Sequence, residues 1–444
     1  MQARNRTAAF LLSLFLTAAA FVSCVQNPAH DNDKTGTSQK ESESTAKTKE
    51  DETAETEENM EMNQYPQYLS VHKIDQPGKN QWYMADPSSV NQSSFDEVIN
   101  AVGHRGGNDR RLAISYTFEY AAFPLDNVRD GIENMLRLSE ENDVPVILHL
   151  DGVNYWSYYP QLWNFWDSGA PGYDPENYKN VERFGWGEDT AVKIGWRNWG
   201  RQIRVAPAPN LASPAFLGLQ RDCLSELFPV IAKWYDALPG DRKYLLGGIV
   251  LGWELSTYVQ AYYYEGGNDL LAKPAADDPA GGLYESMPLG YAAALELGLQ
   301  SDGIITEKTQ DGICSFYMEY LIDLALEFGI DPTRIVTHSF YGGETKHGGG
   351  QSGAASISDR LTDGVVPGWS FYGERIYEIE HVVAMAGDYP WAAIEYKPWG
   401  LTWSILNQTF NYKKCRYINI YNWNAIRDDT KTLEILEDLL KDFK

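Results

Sequence analysis

Apolar runs typical of β-strands alternate with amphipathic helical stretches along most of the chain from about residue 112 onward. Helical periodicity is clearest in residues 313–328 and in Thr430–Phe443, where apolar side chains recur every three or four positions. This alternation predicts βα units that build a parallel sheet. The candidate strands are Leu112–Phe118, Val146–Leu150, Ile203–Ala206, Leu245–Trp253, Arg334–Thr337, Val366–Tyr372, Trp391–Ile394 and Tyr417–Tyr421.

Eight strands with helices between them, followed by a last helix, predict an α/β fold of the (β/α)8 TIM-barrel type. The barrel domain is expected to span residues 65–444 and to carry long Trp/Tyr-rich loop insertions. About 380 residues lie within the size range of one decorated barrel domain.

The N-terminus has the three parts of a secretory signal peptide, predicted for residues 1–23. Two arginines precede the apolar run 8–22, and Ser23-Cys24 follows it. The run is shorter than the ~20 residues that a membrane-spanning helix needs. Phe21-Val22-Ser23-Cys24 resembles a lipobox, which implies that Cys24 becomes the new N-terminus and receives acyl chains. An ordinary signal peptide followed by a chance cysteine is the alternative.

Residues 24–64 are predicted to be a disordered acidic tether. The segment is rich in Ser, Thr, Glu and Lys and nearly free of apolar side chains, so it cannot bury enough surface to offset its ordering entropy. The whole chain has a formal net charge of −25. Because nucleic-acid binding depends on Lys and Arg neutralising phosphates, this charge excludes nucleic acid as an expected partner.

Residues at or just past the strand ends are the site candidates, because barrel active sites lie at the C-terminal ends of the strands. Glu254 and Glu395 each follow an apolar strand, where a carboxylate is costly to desolvate unless it is paired or functional. A structural ion pair, such as Glu395 with Lys397, is the alternative. The other candidates, expected to bind substrate, are Asp151, Asn210, Trp253, His338, Tyr341, Trp369, Glu374, Trp399 and Trp423.

Gly252-Trp253-Glu254-Leu255 and Ala393-Ile394-Glu395-Tyr396 resemble, in position, the two catalytic segments of the largest clan of retaining glycoside hydrolases. These enzymes are TIM barrels with an acid/base glutamate ending strand four and a nucleophilic glutamate ending strand seven. The resemblance implies Glu254 as acid/base and Glu395 as nucleophile. One position departs from the clan, because Trp253 stands where an asparagine usually holds the sugar 2-hydroxyl. Asn210 is a candidate for that contact.

The stretch Asn154–Gly200 is dense in aromatic residues, which stack well on the apolar faces of sugars. A small aromatic core that holds a long loop in place is the alternative, and it is expected to account for most of the six tryptophans: Trp156, Trp163, Trp166, Trp186, Trp196 and Trp199.

Cofactor and metal signatures are missing from the sequence. There is no Walker or dinucleotide fingerprint, and His338 and His347 lack a ligand pattern. His347-Gly348-Gly349-Gly350 is not followed by a G-x-S-x-G, which argues against a serine hydrolase. Apart from Cys24, the cysteines Cys223, Cys314 and Cys415 are predicted to be buried thiols, with one disulfide pair left open.

Two functions remain open. The first is a lipid-anchored glycoside hydrolase that cleaves an oligo- or polysaccharide outside the cytoplasm without a cofactor. The second is a non-catalytic carbohydrate-binding lipoprotein, either a glycan-capture module or a solute receptor. A solute receptor needs two α/β lobes, which a run of eight βα units does not suggest.

Cys24→Ala is expected to release the protein from the membrane fraction without changing the stability of the domain, because the tether makes no packed contacts. Fractionation and thermal melting of the mutant and the parent chain check this. Continued pelleting of an unprocessed mutant with membranes contradicts the lipobox interpretation.

Overall fold

A closed barrel of eight parallel strands organises the computed structural model. The structure describes residues 66–73, 85–153, 155–198, 202–257, 262–279, 286–339, 364–371, 379–380, 383–397, 401–412 and 414–441. The barrel strands are β1 Gln67–Lys73, β2 Arg110–Glu119, β3 Val146–Asp151, β4 Leu246–Leu255, β5 Ile335–Ser339, β6 Gly368–Phe371, β7 Trp391–Tyr396 and β8 Cys415–Ile420. Each strand pairs with its neighbour in chain order, and β1 closes the barrel on β8.

Helices lie between the strands and around the barrel. They are α1 Gln92–Val102, α2 Leu125–Asn142, α3 Pro160–Trp163, α4 Pro214–Ala237, α5 Tyr291–Glu296, α6 Glu307–Glu327, α7 Trp403–Asn411, α8 Trp423–Ile426 and α9 Thr430–Lys441. Several begin at a polar N-cap; Thr306, for example, accepts the N–H of Thr309 to start α6. Within the ranges described, no helix is both long and apolar enough to cross a membrane.

The predicted (β/α)8 fold is confirmed, but one strand was assigned wrongly and another was missed. Ile203–Ala206 is not a barrel strand. Gln202–Val205 pairs antiparallel with Gly195–Asn198 in a separate hairpin. The true first strand, β1, escaped prediction because its sequence QYLSVHK alternates apolar with polar residues that face a polar barrel interior. The two errors offset each other, so strands four to eight keep their predicted numbers.

The barrel interior has an apolar layer near the N-terminal ends of the strands and a polar layer above it. Side chains alternate between the two faces of a strand, so inward positions recur every second residue. The apolar layer contains Tyr68, Ala113, Ile147, Val250, Val336, Val366, Ala392, Ile394 and Tyr417. The polar layer, also fully buried, includes Ser70, His72, Ser115, Thr117, Glu119, His149, Asp151, His338 and Asn419.

Outward-facing strand residues pack against the helices in one large core. Leu69, Val71 and Leu112 are fully buried there with the apolar faces of α1 and α9. Cys223, Cys314 and Cys415 are free and buried, as expected, and no two of them form a disulfide. Burial raises the pKa of the Cys223 thiol to about 11, so it stays protonated and behaves as a small apolar side chain.

Two insertions, one after β3 and one after β4, share an aromatic core. Its fully buried members Trp196 and Tyr262 also pair through their backbones. Trp156 is likewise buried and donates its indole N–H to the Pro207 carbonyl at 2.8 Å. The alternative interpretation, a packed core rather than a sugar platform, is therefore correct for Trp156 and Trp196. Trp163 and Trp166 are half-buried and stack on each other.

Glu182 ties the two insertions together. Its buried carboxylate accepts the backbone N–H groups of Gly290, Ala292 and Ala293, at 3.0–3.2 Å, where α5 begins. Burial raises the pKa of Glu182 to about 7, while these N–H groups pull it in the opposite direction. One side chain thus satisfies three donors that have no partner within the first turn of the helix.

Glu182→Ala is expected to lower the free energy of unfolding by about 3 kcal/mol or more, because it leaves several buried N–H groups without an acceptor. Glu182→Gln keeps one carbonyl acceptor and should lose less. The surface change Glu176→Ala is the control. Urea unfolding measures the free energy of unfolding of the three variants. Equal stability of Glu182→Ala and Glu176→Ala contradicts the proposed link between the two insertions through Glu182.

Candidate active site

Glu254 lies near the end of β4, in a strained stretch of backbone. Gly252 and Glu254 both adopt the left-handed region, with φ of 74° and 47°, and the register between β4 and β5 shifts between Leu251 and Leu255. A left-handed conformation is uncommon for glutamate and costs energy that only the surrounding structure can offset. The backbone here is therefore shaped to place the side chains of residues 253 and 254.

Glu395 lies in β7 and is bonded to the residue beside Glu254. The indole Nε1 of Trp253 donates to Glu395 Oε1 at 2.6 Å, and both groups are buried. A register shift between β6 and β7 sets Ser370 opposite Glu395. The ends of β4 and β7 are thus linked across the barrel mouth, which is formed by the C-terminal ends of the eight strands.

Tyr421, directly after β8, interacts electrostatically with both glutamates. Burial, then the charges of Glu395 and Glu254, raise the pKa of its phenol. Tyr421 also packs against Trp253 and His72. It was missed from the sequence because the predicted strand eight ran one residue too far and included it.

Three histidines form a column in the polar layer below the mouth. The His72 and His149 rings stack at 4.7 Å, and His149 meets His338 edge-on at 5.9 Å. Burial lowers the pKa of His72 to about 3 and those of His149 and His338 well below the usual value, so all three are neutral. Thr117 and Ser370 bond the Nε2 atoms of His72 and His338.

A second acidic pair ends β2 and β3. Glu119 lies in register beside Asp151, and both are fully buried. Burial and the Asp151 charge raise the pKa of Glu119 well above its usual value, against the Ala85 N–H and the Arg197 guanidinium. Arg197 comes from the first insertion and lies 4.9 Å from the centre of the Tyr155 ring. Burial lowers its pKa, yet the nearby acids favour its charged form.

Asp151, His338 and the two glutamates occupy the upper barrel, as the strand-end rule predicts. Asn210 does not end a barrel strand. Its side chain accepts the Ala212 N–H and donates to the Lys179 carbonyl, so it stabilises the first insertion. It was a candidate for the sugar 2-hydroxyl because it follows the misassigned third strand, so that reason no longer holds.

Trp369 and Trp423 were also assigned wrongly, because both are fully buried in the outer core. Trp369 precedes Ser370, whose hydroxyl points inward to His338, so the tryptophan faces the helices. Tyr341, Glu374, Trp399 and Cys24 lie outside the described residues. His72 was missed together with β1, and His149 was missed because the interior of its predicted strand was assessed only for apolar character. Glu119 directly follows the predicted strand Leu112–Phe118 and was overlooked at that strand end.

Metal binding has no support in the described part of the chain. No group of three or more His, Cys, Asp or Glu side chains there is arranged to hold an ion.

Comparison with known proteins finds no matching family model and no matching curated protein. Among solved structures, the chain is similar to GH26A from a Muricauda species, with a TM-score of 0.44, 8% identity, and coverage of 88% of this chain and 93% of that one. It is similar to β-mannanase from the blue mussel Mytilus edulis, with a TM-score of 0.40, 9% identity, and coverage of 85% of this chain and 92% of that one. It is also similar to a morphinone reductase, with a TM-score of 0.41, 8% identity, and coverage of 83% of this chain and 85% of that one. Likeness of this degree says nothing about the reaction.

Replacing His149 by Gln is expected to flatten the pH dependence of stability in mild acid. With its pKa lowered in the folded protein, His149 takes up a proton only on unfolding, so stability falls as pH drops below about 6.5. Removing it should reduce that slope by up to about 1.4 kcal/mol per pH unit.

Urea unfolding at pH 7.5, 6.5, 5.5 and 5.0 gives the slope. His104→Gln, outside the barrel strands, controls for loss of a histidine as such. If the free energy of unfolding depends on pH in the same way for His149→Gln and the parent chain, His149 is not held neutral in the folded protein.

Proposed function

We propose that the chain is a glycoside hydrolase of the retaining type, with Glu254 as acid/base and Glu395 as nucleophile. The observation that carries the proposal is the hydrogen bond from Trp253, the residue beside Glu254 on β4, to Glu395 on β7, together with the effect of both carboxylate charges on Tyr421. A retaining mechanism needs two carboxyl groups on either side of the scissile bond, about 5–5.5 Å apart. Strand ends on different sides of one barrel mouth can supply such a pair.

In this mechanism Glu254 donates its proton to the glycosidic oxygen while Glu395 attacks the anomeric carbon. The bond from that carbon to the leaving oxygen breaks, and a covalent glycosyl-enzyme forms on Glu395. Glu254, now ionised, removes a proton from water, which attacks the same carbon and frees Glu395. The first step needs Glu395 to be ionised in the free enzyme, and a hydrogen bond from the Trp253 N–H favours that state.

The β2–β3 side of the mouth supports a carbohydrate substrate. Glu119, Asp151 and Arg197 provide acceptors and donors in a buried setting, next to the aromatic ring of Tyr155. Sugar sites commonly combine a few fixed polar groups with aromatic surface. The substrate we infer is an oligo- or polysaccharide outside the cytoplasm, with the chain exported and held at a membrane through Cys24.

A carbohydrate-binding lipoprotein without catalysis is the second candidate, favoured by Trp253 in place of the clan's asparagine. The two candidates differ in one measurement. A catalyst releases reducing sugar from a glycan, whereas a capture protein binds the same glycan and releases nothing.

The test uses a panel of soluble β-mannan, β-glucan, xylan and α-glucan with wild type, Glu395→Ala and Glu254→Ala. Wild type should release reducing ends from at least one glycan. Glu395→Ala should lower kcat by roughly 10⁴-fold or more, in the range seen when a nucleophile is removed. Glu254→Ala should spare aryl glycosides with good leaving groups, which depart without protonation.

Azide should restore turnover to Glu395→Ala and give a glycosyl azide of inverted configuration, because the anion enters from the face that the carboxylate has vacated. Glu327→Ala, a half-exposed glutamate paired with Arg221 on the outer surface, is the matched control. Full activity of Glu395→Ala, or glycan binding by wild type without release, removes the proposed function.

A further inference from the structure

Trp253 is built into the mouth in a way that does not suit a sugar-stacking residue. Its side chain is only 4% exposed, and it packs against Ala85 and Tyr421, while the His72 ring meets it edge-on at 6.2 Å. Its single polar atom is directed at Glu395 Oε1. An indole N–H can donate but cannot accept or lose a proton in the physiological range. It is therefore a permanent, neutral donor to one carboxylate oxygen.

We propose that Trp253 is a positioning residue for Glu395: its indole N–H holds the carboxylate in one orientation and stabilises its ionised form. This rests on the proposed function, in which Glu395 is the nucleophile. The left-handed residues Gly252 and Glu254 on either side of Trp253 explain how one strand end can present both the donor and the acid/base. In a regular strand, adjacent side chains point to opposite faces.

The ionisable groups around Trp253 and Glu395 affect how the pH profile of activity is interpreted. In the described elements, His72 from β1 and Tyr421 after β8 pack against Trp253, and Glu254 from β4 follows it in the chain. Burial lowers the pKa of His72 to about 3, and burial with the charges of Glu395 and Glu254 raises that of Tyr421. Neither changes charge between pH 4 and 9, so His72 and Tyr421 are not expected to produce a limb of the activity profile in that range.

The test compares the pH profile of kcat/KM for wild type and Trp253→Phe. Phenylalanine keeps an aromatic ring but removes the N–H, so the acid limb should move to higher pH by about one unit, and kcat should fall more than KM rises. Trp234→Phe is the matched control. Trp234 also donates its indole N–H to a glutamate, Glu140, at 2.6 Å, but on the outer surface between α2 and α4.

An acid limb that stays in place in Trp253→Phe, or that moves equally in Trp234→Phe, overturns the proposal. A second measurement does not depend on activity. The chain has 14 tryptophans, and ¹⁵N-indole labelling resolves their N–H signals, with that of Trp253 identified by its absence in Trp253→Phe.

In the wild-type chain the Trp253 N–H signal should shift with pH, and Glu395→Gln should abolish this titration. A signal that ignores both pH and Glu395→Gln overturns the positioning role. If wild type cleaves no glycan in the panel, the proposed function fails. The indole titration then still decides whether Trp253 controls the charge of Glu395.

Discussion

Desolvation of ionisable side chains inside the barrel is the constraint on which the rest of the structure depends. An apolar layer seals one end, so polar groups above it must be neutral, paired or hydrogen-bonded. The histidines meet this demand by staying neutral, and Glu395 meets it with the indole of Trp253. Glu119 meets it through a raised pKa, which favours its protonated form. Each solution leaves a different chemical character at the mouth.

The insertions belong to the same electrostatic arrangement. Arg197 arrives from the hairpin after β3 and brings a positive charge to the acidic pair at the ends of β2 and β3. That hairpin is itself held in the aromatic core shared by the two insertions, and Glu182 links them at the start of α5. Packing far from the strands therefore determines where a charge stands at the mouth.

The sequence was most informative where strands are continuously apolar. Runs such as those of β4 and β7 are buried on both faces, so their ends, and with them Glu254 and Glu395, could be located by hydrophobicity alone. Strand β1 could not, because two of its residues, Ser70 and His72, belong to the polar layer of the interior. The hairpin strand Gln202–Val205 has the same local hydrophobic pattern as a barrel strand. Only its antiparallel pairing with Gly195–Asn198 distinguishes it from one. Predicting Tyr421 as a site residue required the end of β8 to be located to within one residue.

In a regular strand, the position of a residue in the chain determines which face its side chain points to. The bulge at the end of β4 breaks this rule. Gly252 and Glu254 take left-handed backbone, so the consecutive residues 253 and 254 both reach the neighbourhood of Tyr421. The number of residues in this segment thus matters as much as their identity. Between its pairings with β5, β4 has two residues more than its partner, so loss of a residue there would turn either the donor or the acid away from the mouth. An alignment of this chain to other barrels that preserves strand length but ignores the bulge would compare Glu254 with a residue of different orientation.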